Sequence, residues 1–209
     1  MATPAEIVNG YMGIVDKTYA GLTAVPAAVP GPATSVTVEQ LMAIMPKLSR
    51  AQADAYLPLL NQAMADAQVN NPKRKATFLS QLAEESADLT DFEENASGRA
   101  YEGNRNLGNT QPGDGPRFKG RGPIQLTGRD NYTRAGRALG VDLVNHPELV
   151  QTDPAIGFRT AAWFWNDKHP NAAADAGDFT TVTKKVNGGT NGIEIRRAAY
   201  NRALKVLGG

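Results

Sequence analysis

Glu85 stands where the helical pattern calls for an apolar residue. Phe78, Leu82, Leu89 and Phe92 fall at i, i+4, i+11 and i+14, the spacing of one core-facing stripe on a helix, and Glu85 occupies i+7 of that stripe. A carboxyl group there faces the core or a cleft. Desolvation disfavours its charged form, which keeps a carboxylic acid protonated near neutral pH and able to donate. The plainer alternative is a buried structural acid paired with an arginine. Glu94, nine positions on, could supply the complementary base. Two carboxyl groups about 6.5–9.5 Å apart admit a water and predict inversion at a sugar carbon, whereas about 5–5.5 Å predicts retention. Glu84, Asp88, Asp91 and Glu93 compete nearby, each more often a solvated surface charge, so spacing by itself selects the pair only weakly.

The elements around the pair decide whether it can act together. The stripe predicts a helix over 73–91. If that helix continued, nine steps of about 100° would carry Glu94 to the opposite face, roughly 13 Å along the axis. The helix is therefore expected to end near Asp91 and the chain to turn back. The glycine-rich, aperiodic stretch 95–122 would then wall the cleft, as long functional loops do. Ile124-Gln125-Leu126-Thr127 alternates apolar and polar, predicting a short strand that turns Gln125 and Thr127 to one face. Gly120 and Gly122 are not a dinucleotide fingerprint, because Pro123 and the alternation after it cannot open the helix that motif needs. Helical patterns follow over 132–139, 155–166, 179–186 and 194–207. Within them Trp163 and Trp165 read as core residues rather than sugar platforms.

Upstream, Thr3-Pro4-Ala5-Glu6 reads as a capping box opening a helix to about Ala20. Residues 23–34 carry three prolines and no charge, a linker composition. The expected organisation is an N-terminal helix and linker over 1–34 and one main domain over 35–209. Two more capping boxes, Thr37 with Gln40 and Ser49 with Gln52, open further helices. The predicted class is all-α with one very small β element.

Composition narrows the function. A net charge of +1 over 209 residues lacks the basic excess that nucleic-acid binding leaves. No cysteine is present, so disulfides and thiolate metal sites are excluded. His146 and His169 lie in loop-like contexts beside prolines and read as surface residues, so neither a metal nor a cofactor is expected. No run reaches the roughly 18 apolar residues of a membrane span. Glu6, Asp16 and Lys17 interrupt the apolar residues of the N-terminus, so no export signal is expected there.

Phe78-Leu-Ser-Gln-Leu-Ala-Glu-Glu85-Ser86, Phe92-Glu-Glu94-Asn95, Lys119-Gly-Arg-Gly-Pro-Ile-Gln125-Leu-Thr127-Gly-Arg-Asp-Asn131-Tyr132 and Val186-Asn187-Gly-Gly-Thr-Asn191 resemble the signature blocks of the glycoside hydrolase family 19 chitinases. Arg196, four residues before Tyr200, extends the likeness. It runs from about Thr37 to Gly209, and the Gln-Leu-Thr-Gly-Arg version of the third block is most similar to the bacteriophage endolysin branch. The resemblance implies a lysozyme-like fold of two lobes around a cleft. It makes Glu85 the general acid and Glu94 the general base of an inverting reaction, with Thr127 helping to hold the attacking water. It assigns Gln125, Asn131 and Asn187, with Tyr132 beside them, to binding the sugar, and Arg196 to an ion pair with the base carboxylate. One departure is Glu84, where the family usually has histidine. Adjacent helix residues point about 100° apart, so its effect on Glu85 is expected to be weak.

By that resemblance the expected substrate is bacterial peptidoglycan, cut between N-acetylmuramic acid and N-acetylglucosamine by a monomer. Such a lysin would be made in a bacterial cytoplasm and delivered to the cell wall by a separate pore or secretion system. A chitinase is the first alternative, since both polymers offer N-acetylglucosamine. A non-catalytic wall-binding module or an antibacterial effector is the second.

Overall fold

The computed structural model describes residues 34–209. The N-terminal capping box, the helix to about Ala20 and the proline-rich stretch through residue 33 lie outside the described residues.

Local hydrogen bonding sets the helix starts. Thr37 accepts from the Gln40 N–H while the Gln40 side chain accepts from the Thr37 N–H, opening α1 (Val38–Ile44). Ser49 and Gln52 repeat the exchange at α2 (Arg50–Asp66). Each pair satisfies two otherwise orphaned donors. Asn71 caps α3 (Pro72–Glu85), with proline at its first position. Two single 3-10 turns, Arg99–Tyr101 and Arg105–Leu107, precede the short α4 (Asp114–Arg117). Then come α5 (Arg129–Leu139), α6 (Leu149–Thr152) and α7 (Pro154–Lys168), the last capped by Asp153. α8 (Asn171–Asp175), α9 (Phe179–Asn187) and α10 (Ile193–Leu207) complete the chain.

The helix expected over 73–91 stops at Glu85 instead. The Ser86 hydroxyl donates to the Leu82 carbonyl at 2.7 Å and accepts from the Leu89 N–H at 3.1 Å. Ala87, Asp88 and Leu89 then take φ of 49°, 65° and 61°, a left-handed run that costs non-glycine residues about 1 kcal/mol or more apiece. Tertiary contacts hold it: Asp88 is buried and accepts from the Lys47 N–H, and Leu89 is fully packed in the core. Phe92 follows against Tyr56 and Phe158, with ring centroids 5.5 and 6.1 Å away. The stripe was a true packing pattern, but Leu89 is buried by a turn rather than by a helix, and Phe92 packs against the core just beyond that turn. That turn sends the chain back toward Glu85.

The strand expected over 124–127 is also corrected. Among the described residues there are only isolated bridges, Arg121 pairing antiparallel with both Glu93 and Leu126. A turn over 122–125 lies between them, with Gln125 at φ 54° and its N–H donating to the Gly122 carbonyl. The class is all-α, as the periodicities indicated.

Trp165 lies fully buried at the centre of the core, edge-on to Phe78 with centroids 4.9 Å apart, and its indole N–H donates to Asn171 Oδ1 at 2.8 Å. Truncating such a residue costs about 3–5 kcal/mol. Trp163 is half-buried beneath the Arg134 guanidinium. α10 packs lengthwise on α3, the most extensive helix pair among the described residues, and this pairing positions the first wall of the site.

Candidate active site

A cleft of about 730 Å³ opens between two walls. The helices form one, contributing Glu84 and Glu85 from the end of α3, Phe164 and Lys168 from α7, Lys185 and Asn187 from α9, and Arg196 from α10. The opposite wall comes from the chain between α3 and α5, which contributes Glu94, Tyr101, Gly120, Gln125 and Thr127, with Asn131 from α5.

Glu85 is held by Arg196. This arginine is only 3% exposed; it donates from Nη1 to Gln81 Oε1 at 2.8 Å and from Nη2 to Glu85 Oε1 at 2.7 Å. The resemblance had paired Arg196 with Glu94, and the α3–α10 packing gives it to Glu85 instead. Burial pushes the Glu85 carboxyl above its ordinary range, outweighing the Arg196 cation that pulls it down, and the Glu84 charge adds a smaller upward push.

Glu94 is positioned by neutral donors. Its Oε1 accepts from the Tyr101 hydroxyl at 2.9 Å and its Oε2 from the Gly120 N–H at 3.0 Å. Its backbone is clamped as well: the Glu94 N–H donates to the Gly120 carbonyl, and Lys119 Nζ donates to the Glu94 carbonyl while pairing with Glu93 at 3.2 Å. Burial and the bonded Glu94 carboxylate push the Tyr101 phenol up to about 12, so it stays a donor at any ordinary pH.

Gly120 is where this wall converges. A Cβ built there would stand 2.6 Å from Gln125 Oε1 and 3.3 Å from both Glu94 Oε2 and Thr127 Oγ1. Three polar side chains crowd one backbone position, and only glycine leaves them room. Thr127 Oγ1 donates to the Gln125 carbonyl at 2.8 Å and Asn131 Nδ2 to the Thr127 carbonyl at 2.8 Å. Asn187 lines the cleft, and its Nδ2 is buried and makes no hydrogen bond among the described residues.

Of the residues selected from sequence, Glu85, Glu94, Thr127, Gln125, Asn131, Asn187 and Arg196 share the cleft. Tyr132 does not. It is fully buried, its ring lies 5.3 Å from that of Phe118, and its hydroxyl donates to the Lys119 carbonyl, so it supports the wall from behind. Tyr101 was missed; the signal available was that it is the one tyrosine in the glycine-rich stretch. His146 and His169 are exposed, and among the described residues no three metal-ligating side chains gather. No helix among the described residues is long and apolar enough to cross a membrane.

A buried carboxyl pushed above its ordinary range and a second, clamped carboxyl line one cleft in an all-α frame, and the frame is that of the lysozyme-like fold class. The chain belongs to glycoside hydrolase family 19, matching the family described as chitinase class I over residues 63–191. It is 39% identical over 119 residues to the acidic 27 kDa endochitinase of Solanum lycopersicum, covering 44% of this chain and 48% of that one. It is 61% identical over 119 residues to the acidic endochitinase pcht28 of Solanum chilense, covering 44% and 47%. The chain spans about half the length of these plant relatives. Among solved structures, chitinase C from Streptomyces griseus HUT6037 matches with TM-score 0.69 and 24% identity over 86% of this chain and 96% of that one. A bacterial family 19 chitinase matches with TM-score 0.67 and 26% identity over 83% and 95%. These relatives are named as chitinases, and the comparisons do not show the endolysin branch.

Proposed function

We propose that this protein hydrolyses β-1,4 bonds in N-acetylglucosamine polymers, chitin or chito-oligomers, with inversion at the anomeric carbon. The observation that carries the reading is the difference between the two carboxyl environments across the cleft. Glu85 is buried and its carboxyl is pushed above its ordinary range, whereas Glu94 is fixed by the Tyr101 hydroxyl and the Gly120 N–H. Glu85 gives its proton to the glycosidic oxygen as the bond to the anomeric carbon breaks. A water on the opposite face, oriented by Glu94 and Thr127, loses its proton to Glu94 as it attacks. Gln125, Asn131 and the unpaired Asn187 amide supply hydrogen bonds for acetamido and hydroxyl groups.

The test is reducing-end release from soluble chito-oligomers and from purified peptidoglycan side by side, with the anomer of the first product read by NMR. Glu85→Gln keeps the shape but removes the proton donor and should lower the rate by about 10²–10⁴-fold. Unchanged release by that variant would take the acid role away from Glu85, and no release from either polymer by the unaltered chain would return the protein to the binding-module reading.

One observation favours peptidoglycan as a second reading. Lys168 and Lys185 line the helical wall, and among the described residues Lys185 makes no ion pair. Neutral chitin offers such cations no partner, while the lactyl and peptide branches of peptidoglycan carry carboxylates. Release from peptidoglycan that falls on Lys185→Ala, with chito-oligomer cleavage unaffected, would decide for it. Residues 35–209 are proposed to be the catalytic unit under either reading; removing 1–34 should leave release intact.

A further inference from the structure

Glu84 and Glu85 are the last two residues of α3, the end at which the backbone carbonyls carry the negative pole of the helix. Carboxylates there are disfavoured by the helix and by each other, and the start of α10 packs against both. Glu85 receives the Arg196 guanidinium. Glu84 lies against Gly192, the residue that begins the 15-residue α10: a Cβ built on Gly192 would stand 2.4 Å from Glu84 Oε1 and 3.0 Å from its carboxyl carbon. Gly192 has φ 67° and no side chain with which to cap the helix, and the Glu84 carboxyl packs directly on its backbone. The same turn carries Arg196, whose N–H donates to the Gly192 carbonyl at 2.9 Å and whose Nε donates to the Asn191 carbonyl at 3.2 Å.

We propose that Glu84 is a positioning residue for the acid: packed on the Gly192 turn, its carboxylate is held beside Glu85 at the end of α3, where its charge opposes that of Arg196. The proposal rests on the reading of Glu85 as the general acid. The groups facing Glu85 are Arg196 from α10, Glu84 from α3 itself, and Glu94 and Tyr101 from the opposite wall, with Lys168 and Lys185 lining the same cleft. Glu84 is the nearest added negative charge on its own helix, and its influence on Glu85 has the sign the proposal needs.

The experiment follows the Glu85 carboxyl by ¹³C NMR titration in the full chain, the resonance being assigned by its loss in Glu85→Gln. In Glu84→Gln the Glu85 midpoint should fall by about half a unit. The alkaline limb of kcat/KM on chito-oligomers should move the same way with the acidic limb unmoved. Gly192→Ala, which forces Glu84 off the turn, should reproduce the shift and add little to it in the double variant. A Glu85 midpoint that coincides in wild type and Glu84→Gln overturns the proposal. The titration decides even if neither polymer is cleaved, an outcome that would count against the catalytic reading alone.

Discussion

Arg196 Nη2 lies 2.7 Å from Glu85 Oε1, joining the end of α3 to the first turns of α10 across 111 positions of chain. The cation therefore acts on Glu85 rather than on Glu94 opposite, and it opposes burial instead of reinforcing it. Replacing it with glutamine keeps hydrogen bonding to Gln81 and Glu85 but removes the charge that pulls Glu85 down. The alkaline limb of the kcat/KM profile should then move to higher pH, opposite in sign to Glu84→Gln. Stability should fall by about 3 kcal/mol, the usual loss when one partner of a buried pair is removed. Profiles of both variants on one substrate check the signs.

Glu85→Gln should separate activity from stability. The folded state holds the Glu85 proton above its ordinary 4.5, so between that value and the raised one it binds more protons than the unfolded chain, and stability falls as pH rises through the window. Glutamine removes that dependence. Thermal midpoints should match at pH 4 and, at pH 7, be equal or higher in the variant. A variant several degrees less stable at pH 7 would show that the Arg196 pair outweighs burial.

Tyr101→Phe removes a donor to Glu94 Oε1 while leaving the ring in place. A hydrogen bond to a charged group is worth about 1.5–3 kcal/mol, so kcat should drop roughly tenfold to a hundredfold if that bond fixes the carboxylate for the transition state. KM should change little, and steady-state kinetics on a defined chito-oligomer give both values.

Gly120→Ala should lower activity about a hundredfold without unfolding the protein. The added methyl meets the ends of Gln125, Glu94 and Thr127, side chains that can swing aside, so the fold survives while the wall is displaced. Misplacing catalytic groups by about 1 Å costs about 10²-fold. Near-wild-type release with an unchanged thermal midpoint would show that the convergence on Gly120 is dispensable.

The sequence by itself determined what short-range physics controls. The caps at Thr37 and Ser49, the later helices and the polar intrusion of Glu85 into an apolar stripe all follow from hydrogen bonds and periodicities within a few residues. The motif blocks brought together seven of the eight selected site residues. Tertiary structure decided the rest. α3 stops at Glu85 because Asp88, Leu89 and Phe92 find partners elsewhere in the fold that offset a left-handed backbone. The predicted strand is a turn because the Arg121–Leu126 and Glu93–Arg121 bridges close it. Arg196 joins Glu85, Tyr132 withdraws into the core and Tyr101 reaches Glu94. Burial reveals itself in a sequence as residue type, but a partner is chosen by which surfaces meet once the helices pack, and local spacing carries no record of that meeting.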